Sequence, residues 1–198
     1  MDLRHDLEAA VADRPEPSVP WHRIGLQDLV EHIVERYHRP LDEELPRLAQ
    51  MMDKVLSVHG ERHPELAEVS RTFARIQEEL RPHMLKEERV LFPYVTRLES
   101  LVPEGALDAS PFGSIENPIA VMVAEHETVG EELVRLLRLA ADYNPPEGAC
   151  NTFRGLFHGF AELERELHEH IHVENNILFP RAQALEAQII ARNPRRSA

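Results

Sequence analysis

The stretches HMLKEERVLFP, beginning at His83, and HIHVENNILFP, beginning at His170, share the frame H-x-x-x-E-x-x-[VI]-L-F-P. A histidine and a glutamate four residues apart lie on one face of a helix, so each copy presents an imidazole nitrogen and a carboxylate oxygen side by side. Both are ligands that hold transition-metal ions. Two such pairs in one chain of 198 residues point to a site for two metals.

The repetition extends upstream. RYHRPLDEELPRL around His38 matches AEHETVGEELVRL around His126, with the triplet EEL at the same distance after each histidine. The separation from His38 to His83 is nearly that from His126 to His170, about the length of one helical hairpin. Each half of a duplicated unit therefore supplies a lone histidine from one helix and a histidine and glutamate from the next: His38, His83 and Glu87, then His126, His170 and Glu174.

The elements that must position these residues read as helices. From Leu26 the apolar positions Leu29, Val30, Ile33, Val34, Tyr37, Leu41, Leu45, Leu48 and Met52 recur at helical spacing, with bends expected near Pro40 and Pro46 and an end near Gly60. A second helix is predicted from near Pro64 to Ser100. A third runs from Pro118, with Asn117 as its N-cap, to about Tyr143, and a fourth from about Ala149 to Ala191. Residues 101–117 read as a loop and nothing reads as a strand. The expected fold is all-α, an antiparallel up-down four-helix bundle over residues 23–191, with a loose N-terminal arm (1–22) and a basic tail (192–198).

Within these helices the six polar residues fall on the apolar stripe. The second helix presents Ile76, Leu80, His83, Glu87, Val90 and Tyr94 inward, and the fourth Leu163, Leu167, His170, Glu174 and Ile177. On the first, His38 lies among Val34, Leu41 and Leu45; on the third, His126 lies among Met122, Val129 and Leu133. A carboxylate in an apolar core costs on the order of several kcal/mol unless it is paired or bound to metal, and no basic residue occupies these seams. Two divalent or trivalent ions would neutralise both glutamates and take the four imidazoles, each glutamate bridging. The plainer alternative is a buried histidine-glutamate hydrogen-bond network without metal. Iron, manganese and zinc all suit the residue set.

The other histidines read differently. His168 and His172 lie about 200° around the helix from His170 and should be solvated. His32 and His158 fall off the stripes, and His5 and His22 belong to the arm. His59 would stand about 31 Å along a straight first helix from His38 and is a lesser candidate, a ligand only if the chain folds back. Glu79 and Glu125 read as exposed helix charge, or as hydrogen-bond acceptors behind the ligands. Cys150 reads as a small buried residue.

A formal net charge of −13 argues against a nucleic-acid or membrane-surface partner. The single cysteine allows no intrachain disulfide or thiolate cage, and neither a signal-peptide stretch nor a membrane span is visible, so a cytoplasmic protein is expected. The oligomeric state stays open.

Together these motifs resemble the hemerythrin-type di-iron proteins, which carry H, HxxxE, H and HxxxE on four helices. RYH, the VHG-x-x-HPEL stretch, HMLKEERVLFP, the EH of the third helix, and EGAC followed by HIHVENNILFPRA resemble more narrowly the bacterial Repair of Iron Centres family, over residues 24 to 186. The resemblance implies two non-haem iron ions, oxo-bridged and carboxylate-bridged, held by His38, His83, Glu87, His126, His170 and Glu174. It also implies repair of iron-sulfur clusters damaged by nitric oxide or oxidants. Oxygen-carrying hemerythrins have a further histidine where this chain has Gly130, which would leave open positions suited to nitric oxide, peroxide or oxygen, or to loss of an iron. Many family members have an N-terminal domain with a vicinal cysteine pair; here a short cysteine-free arm is expected instead, and activities relying on those thiols are not carried over.

The leading expectation is therefore a di-iron protein of nitrosative or oxidative stress, acting by iron donation to iron-sulfur proteins or by redox chemistry. Two alternatives stay open: a module that binds oxygen or nitric oxide reversibly and senses it, and a metal-free helical interaction protein.

Overall fold

A proline inside a helix withdraws one N–H and presses its ring against the preceding turn. The computed structural model describes Trp21, residues 23–101 and residues 112–192, and there Pro40, Pro93 and Pro180 each stand two residues beyond a widened, π-helical turn. These turns are Val34–His38, Glu87–Leu91 and Glu174–Leu178. After each, the next N–H reaches back five residues: Arg39 to the Val34 carbonyl, Phe92 to Glu87, Phe179 to Glu174. The widened turns make room for the rings without ending the helices. They also carry His38, Glu87 and Glu174, in keeping with the tendency of such turns to occur at functional sites.

Helix α1 is thus built of Leu26–Ile33, Val34–His38 and Arg39–His59, and α2 of Leu66–Lys86, Glu87–Leu91 and Phe92–Leu101. Helix α3 is the uninterrupted Glu116–Leu139, and α4 comprises Asn151–Val173, Glu174–Leu178 and Phe179–Arg192. The start of α1 packs on the end of α2, the end of α2 on the end of α4, and α1 and α2 lie along α4 and α3 respectively. This is the up-down-up-down bundle that the pattern predicts. The expected arm lies outside the described residues apart from Trp21, as do residues 102–111 of the loop and the tail beyond Arg192.

Two apolar clusters fill the bundle, one around Leu45, Phe73, Leu133 and Phe160, the other around Leu29, Ile33, Val95 and Phe179. Every helix passes from one to the other at its histidine: Tyr37 to Leu41, Leu91 to Met84, Met122 to Val129, Val173 to Leu167. The polar layer therefore lies between two dry cores.

The helix starts are tied by a repeated feature. Glu99, from the end of α2, accepts the backbone N–H groups of Leu26 and Gln27 at 2.9 Å each. Glu186, from the end of α4, accepts the Ile115 N–H at 3.1 Å on both oxygens, together with the Tyr94 and Ser114 hydroxyls. A carboxylate at a helix N-terminus satisfies orphan donors and the local dipole. Both glutamates end the same extension of the repeat, L-F-P-x-x-x-x-L-E.

Three local expectations are corrected. Helix α3 begins at Glu116 with Ile115 as N-cap, because Glu186 caps it from outside; Asn117 instead donates its side-chain amide to the Phe112 carbonyl at 2.8 Å. Helix α3 ends at Leu139, not Tyr143, since Ala141, Asp142 and Tyr143 turn into the left-handed region with φ of 50°, 53° and 59°. The inward stripes continue at Leu91 and Leu178, both buried, while Val90 is exposed and Ile177 half-buried. The extra residue in each π turn advances the register by one.

Candidate metal centre

The i, i+4 pairs place His83 over Glu87 on α2 and His170 over Glu174 on α4, while His38 and His126 enter from α1 and α3. All six are buried, none above 4% exposure. Their ligand atoms form two overlapping groups, His38, His170, Glu87 and Glu174, and His83, His126, Glu87 and Glu174, each with its atoms within 4.8 Å of one another. The Nε2 atoms of His38 and His170 are 3.1 Å apart, and those of His126 and His83 2.9 Å.

Both glutamates face both histidine pairs. Glu87 Oε2 lies 3.5 Å from His38 Nε2 and 3.3 Å from His83 Nε2. Glu174 turns Oε1 toward His170 Nε2 at 3.0 Å and Oε2 toward His126 Nε2 at 3.2 Å. Among the described residues, both oxygens of Glu87 and Oε2 of Glu174 are nonetheless buried without a hydrogen-bond partner. Glu186 shows what a buried structural carboxylate looks like, with each oxygen bonded. Orphaned carboxylate oxygens amid convergent imidazoles fit a pair of metal cations, which would supply the missing charge and the missing bonds.

Electrostatics shows the same demand. Burial, followed by repulsion from Glu174, raises the Glu87 carboxyl, while the surrounding imidazoles hold Glu174 well below the ordinary range against its own burial. Burial lowers His38, but the close approach and attraction of the Glu174 and Glu87 carboxylates outweigh it and push it up to about 10. His126 is raised against burial by Glu174, and burial lowers His170. The charged forms of His38 and His126 are thus favoured beside the two glutamates, and a metal would displace their protons.

Three of the four histidines are oriented from behind. His38 Nδ1 bonds Glu88 Oε1 at 2.9 Å, His83 Nδ1 bonds Glu125 Oε2 at 2.9 Å, and His126 Nδ1 bonds Asn175 Oδ1 at 3.0 Å. Glu125 also pairs with Lys86, and this ion pair with the His83 contact outweighs burial to lower its carboxyl. Of the two carboxylates expected behind the ligands, Glu125 is there, although it serves His83 rather than its sequence neighbour His126. Glu79 is exposed. Glu88 and Asn175 were missed by pattern reasoning, yet each directly follows the glutamate of its H-x-x-x-E frame.

The remaining histidines stay apart from this cluster. His172 and His158 are exposed, and His168 is half-buried. His32 packs edge-on against Trp21 and Tyr37. His59 ends α1 at the opposite pole, with Nε2 3.2 Å from Cys150 Sγ. Cys150 is exposed, not buried: it is the N-cap of α4, where backbone N–H groups, chiefly that of Phe153, lower its thiol. His5 and His22 lie outside the described residues.

Among the described residues no helix is long and apolar enough to cross a membrane. Residues 29–182 match the hemerythrin HHE cation binding domain. Over 174 residues, 88% of this chain and 73% of the relative, the chain is 41% identical to the iron-sulfur cluster repair protein YtfE of Yersinia pseudotuberculosis serotype IB. The Yersinia pestis protein of the same name matches at the same identity and coverage.

Proposed function

The chain belongs to the hemerythrin HHE cation-binding family and, within it, to the iron-sulfur cluster repair proteins, and from that membership we propose that it is a di-iron protein that restores damaged iron-sulfur clusters. His38 and His170 would hold one ion, His83 and His126 the other, and Glu87 and Glu174 would face both. The observation that carries this reading is the pair of overlapping ligand groups sharing two buried carboxylates whose oxygens are left without hydrogen-bond partners.

Bound iron would supply a redox-active centre reactive toward nitric oxide and peroxide, and a store of iron for a recipient iron-sulfur protein. The chain's own residues then have three tasks. Glu88, Glu125 and Asn175 hold three rings with Nε2 turned inward, so that little reorganisation accompanies binding. Phe92 and Phe179 stack on His38 and His126 and exclude water from that side. Glu87 and Glu174 offset the charge of the ions in a layer between two apolar cores.

The test is metal content followed by repair. Protein purified from iron-supplemented cells should carry close to two irons per chain by plasma mass spectrometry. Iron-loaded protein should then restore the activity of an iron-sulfur enzyme inactivated by nitric oxide, and metal-free protein should not. Zinc, manganese or no metal in the preparation, or equal repair without iron, would overturn the proposal.

A further inference from the structure

We infer that the two metal positions are unequal, and that the ion held by His38 and His170 is the exchangeable one; this rests on the two-metal reading above. A histidine that gives Nε2 to a metal carries its remaining proton on Nδ1. His38, His83 and His126 can donate that N–H to Glu88, Glu125 and Asn175. His170 Nδ1 is buried with no hydrogen-bond partner among the described residues. Without metal, His170 can instead keep its proton on Nε2 and donate it to Glu174 Oε1 at 3.0 Å. Metal binding there exchanges a satisfied donor for a buried unsatisfied one, a penalty that the other three rings escape.

The duplicated unit shows where the difference arises. Glu125 precedes His126 on α3 and reaches His83 on α2. The corresponding residue before His38 on α1 is Tyr37, and it reaches the corresponding ring on α4, His170. Tyr37 offers that ring a flat face rather than an acceptor, with centroids 5.2 Å apart and planes 8° from parallel. Tyr37 also lines a cleft of about 370 Å³ between α1 and α4, walled by Leu41, Leu163 and the Arg36–Glu166 ion pair. One half of the centre is thus anchored on both of its histidines; the other has one unanchored histidine, stacked on an aromatic ring that also lines a cleft.

The experiment is anaerobic iron release from the two-iron protein into a colorimetric ferrous chelator. One equivalent should leave about 10–100-fold faster than the second, the range by which such outer partners change metal affinity. Tyr37→Glu, which copies the other half of the unit, should slow the fast equivalent and leave the slow one unchanged. Glu125→Leu should accelerate the slow equivalent toward the fast one and keeps the test decisive if Tyr37→Glu does not fold. Release of both irons with one rate constant, or an effect of Tyr37→Glu on the slow phase alone, overturns the inference while leaving the two-iron reading intact. Failure to hold two irons at all overturns both, and metal content tells the cases apart.

Discussion

Asn175 on α4 places its side-chain oxygen 3.0 Å from Nδ1 of His126 on α3. The residue after the glutamate of each H-x-x-x-E frame thus orients a histidine on a different helix, as Glu88 does for His38 at 2.9 Å. Replacing Asn175 with Leu should weaken metal binding by about 10–100-fold with the fold intact, and Asn175→Asp should retain most of it. Competition against a chelator of known affinity, with far-ultraviolet circular dichroism as the control for folding, reads this directly.

Glu87 is a buried carboxylate raised by burial and by Glu174, which outweigh the attraction of His38 and His83. Glu87→Gln should therefore make the metal-free protein more stable, by about 1–3 kcal/mol, while reducing iron to less than two per chain. Calorimetry in the presence of a chelator, beside metal analysis, tests both halves. A lower melting temperature for the variant would mean that Glu87 is already compensated without metal.

The metal-free protein should lose stability in alkali. His38 is pushed up to about 10 from an ordinary 6.5. Its charged form is favoured in the folded state, so its contribution is fully present below pH 6.5 and disappears as pH rises through about 10. Urea midpoints measured with chelator present should fall between these limits. A profile that is flat across that window would show that His38 carries no proton there.

Glu186 caps α3 and takes no part in the candidate metal centre. Glu186→Leu removes the carboxylate that accepts the Ile115 N–H and the Tyr94 hydroxyl, which should cost about 1–3 kcal/mol. At about 2–4 °C per kcal/mol for a domain of this size, the melting temperature should drop measurably. Iron content should be unchanged. Loss of iron alongside stability would place Glu186 in the site's support.

Gly130 occupies an α3 position where an added Cβ meets nothing within 4 Å. Gly130→Ala should stabilise the helix by about 0.5–1 kcal/mol through reduced backbone entropy of the unfolded chain. Thermal unfolding of the variant checks this, and metal content should not change.

Much of the candidate site was legible because its geometry is local. A spacing of four residues places a histidine and a glutamate on one helical face whatever surrounds them, and the apolar stripe shows which face turns inward. Spacing and stripe therefore select His38, His83, Glu87, His126, His170 and Glu174, and the duplicated frame implies that they converge. The π turns were hidden by the assumption of uniform helical period, although the prolines two residues beyond each turn were visible. A uniform period turns Val90 and Ile177 inward, whereas Leu91 and Leu178 hold those places.

What the sequence by itself determined is the helical class, the four-helix order and the six polar residues on inward faces, since each follows from periodicity within one element. Only the tertiary structure decided that Glu125 serves His83 and not its neighbour His126, that Glu88 and Asn175 reach across to other helices, and that Tyr37 lies flat on His170 while His170 Nδ1 has no partner among the described residues. The reason is physical: periodicity specifies the face a residue occupies, but a partner on another helix depends on relative rotation and stagger. Each π turn changes that rotation by one residue.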